Sequence, residues 1–296
     1  MPLLGELSAL LTAVLWSASS MVFTAATLRV GSVRVNVTRL LLAATYLAIA
    51  IPLLGFDATL SSAQLGLLAL SGIVGLALGD SFLFQAFGHI GARRSMLILS
   101  VAPAMAAFLA YLFLGEELTA WGIFGIGVTL FGVMMVLLER GSPATGGKKK
   151  DWLGVFYAFL GALGQAVGLI FAKLAFAEGP VNGFVAALVR ILASVVLLLP
   201  AALVTGRLNR TVELLRKDRA AVLLMVAGSI LGPFLGMSFS LVAVAHTEVG
   251  IAATIMGTVP IVMLPMVWLV YRERLSGRSV VGAVIAVAGV AILFLR

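Results

Sequence analysis

Ten residues return 157 positions further along the chain without a single gap. Gly75, Gly79, Ser81, Phe82, His89, Pro103, Glu116, Leu118, Gly125 and Gly132 reappear as Gly232, Gly236, Ser238, Phe239, His246, Pro260, Glu273, Leu275, Gly282 and Gly289. A chain that echoes itself over this distance builds one structural unit twice. The register holds across three hydrophobic segments, and each copy contains five such segments. An odd number of crossings per copy would place the second copy upside down relative to the first.

Composition says where those segments sit. The chain is 62% hydrophobic and 11% charged, whereas an ordinary soluble domain is nearer one quarter charged. The apolar residues fall into runs long enough to cross a bilayer as helices, which need about 20 residues, and too long and continuous for membrane strands. The first run, 3–28, lacks a basic leader and a clear cleavage site, so it reads as a span and not as a signal peptide. There is no cysteine, which excludes disulfides and thiolate metal sites. A net charge of +8 could point to nucleic acid, but the Lys and Arg residues lie in short loops beside the spans, so no nucleic-acid partner is expected.

The expected fold is an all-α integral membrane protein with ten transmembrane helices in two inverted five-helix repeats. Residues 1–140 form the first repeat with spans one to five, 141–151 a cytoplasmic linker, and 152–296 the second repeat. The spans are expected at about 3–28, 33–54, 63–88, 95–114, 119–138, 152–176, 181–203, 220–243, 248–270 and 279–295. Loop charge alternates. Arg29, Arg34, Arg39, Arg93, Arg94, Arg140, Lys148, Lys149, Lys150, Arg207, Arg210, Arg216, Lys217, Arg219, Arg272, Arg274 and Arg278 share one side, 17 of the 20 basic residues. The opposite loops hold Asp57, Glu116, Glu117, Glu178 and Glu248. The positive-inside rule makes the basic side cytoplasmic and leaves both termini outside, which is periplasmic in a bacterial inner membrane. The stretch 207–219 reads either as a short amphipathic surface helix, with Leu208, Val212 and Leu215 toward lipid, or as a plain charged loop.

Several segments carry a resemblance. They are LGEELTAWGIFGIGVTLFGV at 114–133 with its echo YRERLSGRSVVGAVIAVAGV at 271–290, and SVAPAMAAFLAYLF at 100–113 with GTVPIVMLPMVWLV at 257–270. Arg39 in NVTRLLLAA and Arg190 in ALVRILAS add an arginine to the second span of each copy. In this ordered, duplicated set the chain resembles the EamA-type ten-helix members of the drug/metabolite transporter superfamily, over essentially its whole length. In overall look it is similar to their bacterial amino-acid exporters, the aromatic ones above all. The resemblance implies a multi-pass protein of the bacterial inner membrane, a small-molecule substrate, lipid contact, a monomer or homodimer, no cofactor and no enzymatic activity. Two departures stand out. The small four-helix relatives use an embedded glutamate in their first helix, but the centre of this first span is Trp16 and Ser17, with Glu6 shallow. The second copy reads YRERL where the first reads LGEEL, losing the turn glycine.

Polar groups inside the bilayer are costly and therefore candidate sites. Asp80 is the only acid well inside a span, and Arg39 lies at matching depth on the second span. The two fit either a structural or gating ion pair, or a proton-coupling or substrate role for Asp80. The echo of Asp80 is Met237, so any coupling role is confined to one half. Arg190 sits deep in the seventh span, where it would hold a substrate carboxylate or bond helix carbonyls. Lys173 is expected to snorkel toward the outer surface. His89 and His246 occupy equivalent places, read as helix ends on opposite faces, and are too far apart to share a metal, so no metal site is expected. The uncharged candidates for a substrate pathway are Trp16, Ser17, Ser20, Gln85, Ser100, Gln165, Ser238 and Thr258. Hydroxyls can equally serve as packing glue; Trp16 and Gln165 are harder to explain that way. The equivalent segments GIVGLALG and ILGPFLG, with Pro103, Pro233, Pro260 and Pro265, permit the bends that alternating access needs. Spans five and ten read as scaffold or dimer faces.

These features point to a secondary transporter that exports small organic metabolites, amino acids with aromatic or other apolar side chains in particular, through a central cavity. The alternatives are a facilitator or exchanger of a phosphorylated or nucleotide-linked solute, and a multidrug exporter. No metalloprotease or nucleotide-binding motif and no acidic cluster supports an enzyme.

Overall fold

The computed structural model describes residues 3–138, 148–206, 208–209, 211, 217–271 and 277–295. The fold is all-α, and its ten spans follow the two repeats. The first repeat contains α1 (Leu4–Val30), α2 (Ser32–Leu53), α3 (Ser62–Gly72), a π-helical segment (Ile73–Gly79), α4 (Asp80–Leu99), α5 (Ala102–Leu114) and α6 (Ala120–Leu138). The second contains α7 (Lys148–Ala177), α8 (Gly183–Val204), α9 (Arg219–Ser229), a second π segment (Ile230–Gly236), α10 (Met237–His246), α11 (Val249–Met256), α12 (Val259–Tyr271) and α13 (Gly277–Leu295). Among the described residues six helical stretches are long and apolar enough to cross a membrane by themselves: Leu4–Thr27, Val33–Leu53, Ser62–Leu83, Trp152–Ala177, Gly183–Val204 and Arg219–His246. The other four apolar helices have 10–17 residues.

The two π segments start at Ile73 and Ile230, so they too obey the 157-residue echo. Glycine at Gly75, Gly79, Gly232 and Gly236 lets the wide turn form, and Pro233 supplies no N–H, which frees a carbonyl one turn earlier, at the end of α9. Each π segment seats against the first helix of the opposite repeat. Gly75 and Gly79 pack on α7 beside Gly168 and Gly164, and Gly232 and Gly236 pack on α1 beside Ser19, Phe23 and Trp16.

Two apolar clusters fuse the halves. One joins α1, α7, α10 and α11 through Ala9, Ile170, Val244 and Ile251; the other joins α2, α3, α7 and α8 through Leu47, Leu68, Ala172 and Ile191. Alanines interleave with Leu, Ile and Val in both clusters and let the backbones approach closely, the usual way helices associate in lipid. Spans five and ten pair in the same way: a Cβ on Gly132 would meet the Gly282 carbonyl at 2.6 Å, and one on Gly289 would meet the Thr129 backbone nitrogen at 2.5 Å. That seam is internal scaffold, although Val133 of α6 also reaches the central cavity.

Two details differ from expectation. No break separates spans three and four in the first repeat. The helix continues through His89 to Leu99 and turns at Ser100 and Val101, while the second repeat does break, at Thr247 and Glu248 after His246. His89 therefore lies inside a helix, 5.6 Å from the Tyr157 ring, and only His246 ends one. Most of 207–219 and the linker residues 139–147 lie outside the described residues, as do Arg140, Arg207, Arg210, Arg216, Arg272 and Arg274. Next to that stretch, Asp218 caps α9 by accepting from the Ala221 N–H (2.9 Å) and pairs with Arg29 (3.1 Å). The Ala221 N–H, helped by Arg29, holds its carboxyl below the usual aspartate range.

Candidate functional site

A cavity of about 360 Å³ lies between the repeats and draws its walls from both. It falls within the size range of small-molecule sites. Its polar wall comes from a few positions only.

Asp80 is the first residue after the first π segment, and the wide turn delivers its carboxylate to the cavity. Arg39 of α2 reaches it: Nη2 lies 3.3 Å from Oδ2, Nε donates to Asn36 Oδ1 at 2.8 Å, and the guanidinium carbon stands 5.5 Å from the centre of the Phe23 ring. Gln165 of α7 offers Nε2 to the other Asp80 oxygen at 3.5 Å, the long end of a hydrogen bond. Arg190 of α8 enters from another side. It is 4% exposed, its Nε is buried without a hydrogen-bond partner, and its Nη2 faces Gly75, where an added Cβ would sit 3.3 Å away.

Trp16 of α1 forms part of the apolar wall. Its indole fits over Gly236 so closely that a Cβ there would lie 2.6 Å from Cδ1 and Nε1. Ser20 and Ser100 also line the cavity. The remaining pathway candidates sit elsewhere. The buried Ser17 hydroxyl donates to the Ala13 carbonyl at 2.7 Å and lies 3.0 Å from that of Val259, joining α1 to α12. Ser238 donates to Phe234 O at 2.6 Å one turn back in its own span, and Thr258, in the turn between α11 and α12, donates to Ile255 O at 2.7 Å. Gln85 is exposed on α4. Glu116, Lys173 and Glu6, on the acidic face, are not among the cavity residues either.

Lys173 does not snorkel outward. Its ammonium donates to the carbonyls of Val244 (2.9 Å) and Thr247 (2.8 Å) and stands 3.6 Å from Glu116 Oε1. Glu116, carried on the α5–α6 connection, accepts from the Val249 N–H through its other oxygen at 2.8 Å. One ion pair therefore caps both helix ends at the α10–α11 break: the cation takes orphan carbonyls and the anion takes an orphan N–H. Thr247 further bonds Glu6 of α1 at 3.2 Å. Together these bonds lace four elements shut on the acidic face. Sequence reading missed this latch because its members are spread over four segments. The only hint was the odd placement of Lys173 among acidic loops.

Among the described residues no cluster of His, Asp or Glu could hold a metal ion. The sequence pattern described as the EamA-like transporter family matches residues 3–138 and again residues 152–295. No curated protein matches the chain. In three dimensions the chain is similar to a protein of known crystal structure, with a TM-score of 0.78 over 98% of this chain and 96% of that one, at 18% identity. That identity carries the fold alone.

Proposed function

The chain belongs to the EamA-like transporter family and is a membrane transporter of the drug/metabolite superfamily, and from that premise we propose that it exports small organic metabolites by alternating access. Amino acids with aromatic or other apolar side chains are the favoured cargo. The observation that supports this reading is the cavity itself: mostly apolar, held between inverted repeats, with Trp16, Ser20, Ser100, Gln165 and Arg190 on its wall. Arg39 and Asp80 act as a coupling or gating pair at the same place. The basic face is cytoplasmic and both termini are periplasmic in this proposal, and the protein works as a monomer or homodimer. A phosphorylated or nucleotide-linked solute suits the wall less well, since Arg39 is already paired with Asp80 and only Arg190 is left to meet a dianion. A transporter of this family has no catalytic step, and the chain is not an enzyme.

Flux of labelled amino acids and related solutes in proteoliposomes tests the reading. Folded protein that moves nothing faster than protein-free vesicles removes it. Trp16→Ala is expected to cut flux by about tenfold, in line with losing a bulky wall residue worth roughly 1–2 kcal/mol of solute binding, while insertion stays intact. Normal flux in that variant takes Trp16 off the pathway. Asp80→Asn is expected to abolish the response of flux to an imposed pH gradient. An unchanged response rules out Asp80 as the coupling acid and leaves it a structural partner of Arg39.

A further inference from the structure

We propose that the cavity recognises its solute through a carboxylate seated on Arg190, and that an α-ammonium group adds nothing to recognition. This rests on the transporter reading and names the solute chemistry within it.

The argument is a charge balance on the cavity wall. Three charged residues line it: Arg39, Asp80 and Arg190. Arg39 is matched, by Asp80 at 3.3 Å and Asn36 at 2.8 Å. Asp80 is matched in turn, one oxygen toward Arg39 and the other toward Gln165 at 3.5 Å. Arg190 remains. Its guanidinium is withdrawn from the surface, its Nε has no hydrogen-bond partner, and the residue is only 4% exposed. A buried donor left unsatisfied costs free energy; Arg34 Nε and Glu116 Oε1 share that condition, but only Arg190 belongs to the cavity wall, where a solute could relieve it. Two cations against one anion leave the wall with one net positive charge; Asp80 acts on both arginines, but only Arg39 stands at ion-pair distance from it.

A carboxylate answers both deficits at once. It brings two acceptor oxygens in the plane of a guanidinium fork and one compensating negative charge. Gly75 packs beside Nη2, where an added Cβ would sit 3.3 Å away, and helps fix the guanidinium at the wall. An ammonium group finds no uncompensated acid there. The single acid on the wall already has its charge balanced by Arg39, so a second cation would lose its hydration without meeting an uncompensated anion. The body of the solute would lie against Trp16, Leu169 and Met256, which offer shape and apolar area and no charge.

The test uses three probes on one skeleton and measures the ligand-induced rise in thermal unfolding temperature of the purified protein. For an aromatic body these are 3-phenylpropionate, phenylalanine and 2-phenylethylamine; for a branched aliphatic body, 4-methylpentanoate, leucine and 3-methylbutylamine. The expected result is that, in at least one series, the two carboxylates bind within about threefold of one another and the amine does not bind. Arg190→Gln is expected to weaken carboxylate binding about tenfold or more, as loss of a charged hydrogen-bond partner implies. Arg190→Lys, which keeps the charge without the fork, retains part of it. The proposal is overturned if the amino acid binds and its des-amino partner does not, if carboxylates bind a folded Arg190→Gln protein as tightly as the native one, or if no carboxylate of either series binds. If Arg190→Gln does not fold, the probe comparison on the native protein decides alone. Flux of some other solute in proteoliposomes would in each of these cases leave the transporter reading standing.

Discussion

Gly72→Ala is expected to destabilise the protein by about 3 kcal/mol, while Gly66→Ala, six residues earlier on the same helix, leaves stability unchanged or raises it by about 0.5 kcal/mol. The contrast comes from what each new methyl group meets. A Cβ on Gly72 would run into the backbone of α8 at Arg190, 2.7 Å from its Cα and 2.8 Å from its carbonyl carbon. Backbone cannot rotate aside as a side chain can, so the two helices must part. Parting them also strains Ser194, whose hydroxyl lies 2.7 Å from the Arg190 carbonyl and 3.0 Å from that of Gly72. At Gly66 a Cβ would have nothing within 4 Å, so the substitution only exchanges a flexible helical residue for a better helix former. Because Gly72 sets the distance between α3 and the backbone of Arg190, the variant should lose carboxylate binding along with stability. Thermal unfolding of the two purified variants checks this. Equal melting temperatures for both would mean that α3 and α8 are not pressed together as described.

The echo in the sequence carried a great deal of this architecture. It anticipated ten spans, the opposed repeats and the equivalence of GIVGLALG with ILGPFLG, which fold into the paired π segments. Trp16 and Gly164, which the 157-residue spacing does not relate, occupy matching places: Gly164 packs on Gly79 of one π segment, and Trp16 on Gly236 of the other. The repeats thus share a crossing but fill it differently, glycine against glycine on one side and an indole on the other. What the residue pattern does not encode is rotation about each helix. Gln85 stands five residues beyond Asp80 on α4, about 140° round the helix, so the two face different surroundings. Ser17 stands one residue, about 100°, from Trp16 and turns into the α12 contact instead. The π register was hidden for a related reason: glycines and a proline permit a wide turn, but only the backbone hydrogen bonds decide whether one forms. The acidic-face latch was hidden because Glu6, Glu116, Lys173 and Thr247 come together only once the halves pack.

That latch yields the larger functional prediction. Lys173→Met should open the cavity to the acidic face, raising the rate at which a membrane-impermeant thiol reagent, applied from that side, labels a cysteine placed at Ser20. The chain has no cysteine of its own, so the signal is clean. Ser20 lines the cavity, and serine to cysteine changes one atom. In the latched state Lys173 satisfies two carbonyls at the end of α10 and faces Glu116, with side-chain exposures of only 22% and 13%. Removing the ammonium strands those acceptors and leaves Glu116 without its counter-charge, a loss of about 2–3 kcal/mol in the closed state alone. If the state open to the acidic face makes no such contact, the equilibrium moves toward it by about 30- to 150-fold, and labelling should accelerate accordingly. Glu116→Gln should act in the same direction with a smaller effect, since the amide oxygen can still accept from the Val249 N–H. Labelling from the basic face should slow in both variants, because the two states exchange population. An unchanged rate from both faces in Lys173→Met would show that the cluster only caps helix ends. A rise from both faces together would indicate general loosening, and the latch would then be no gate.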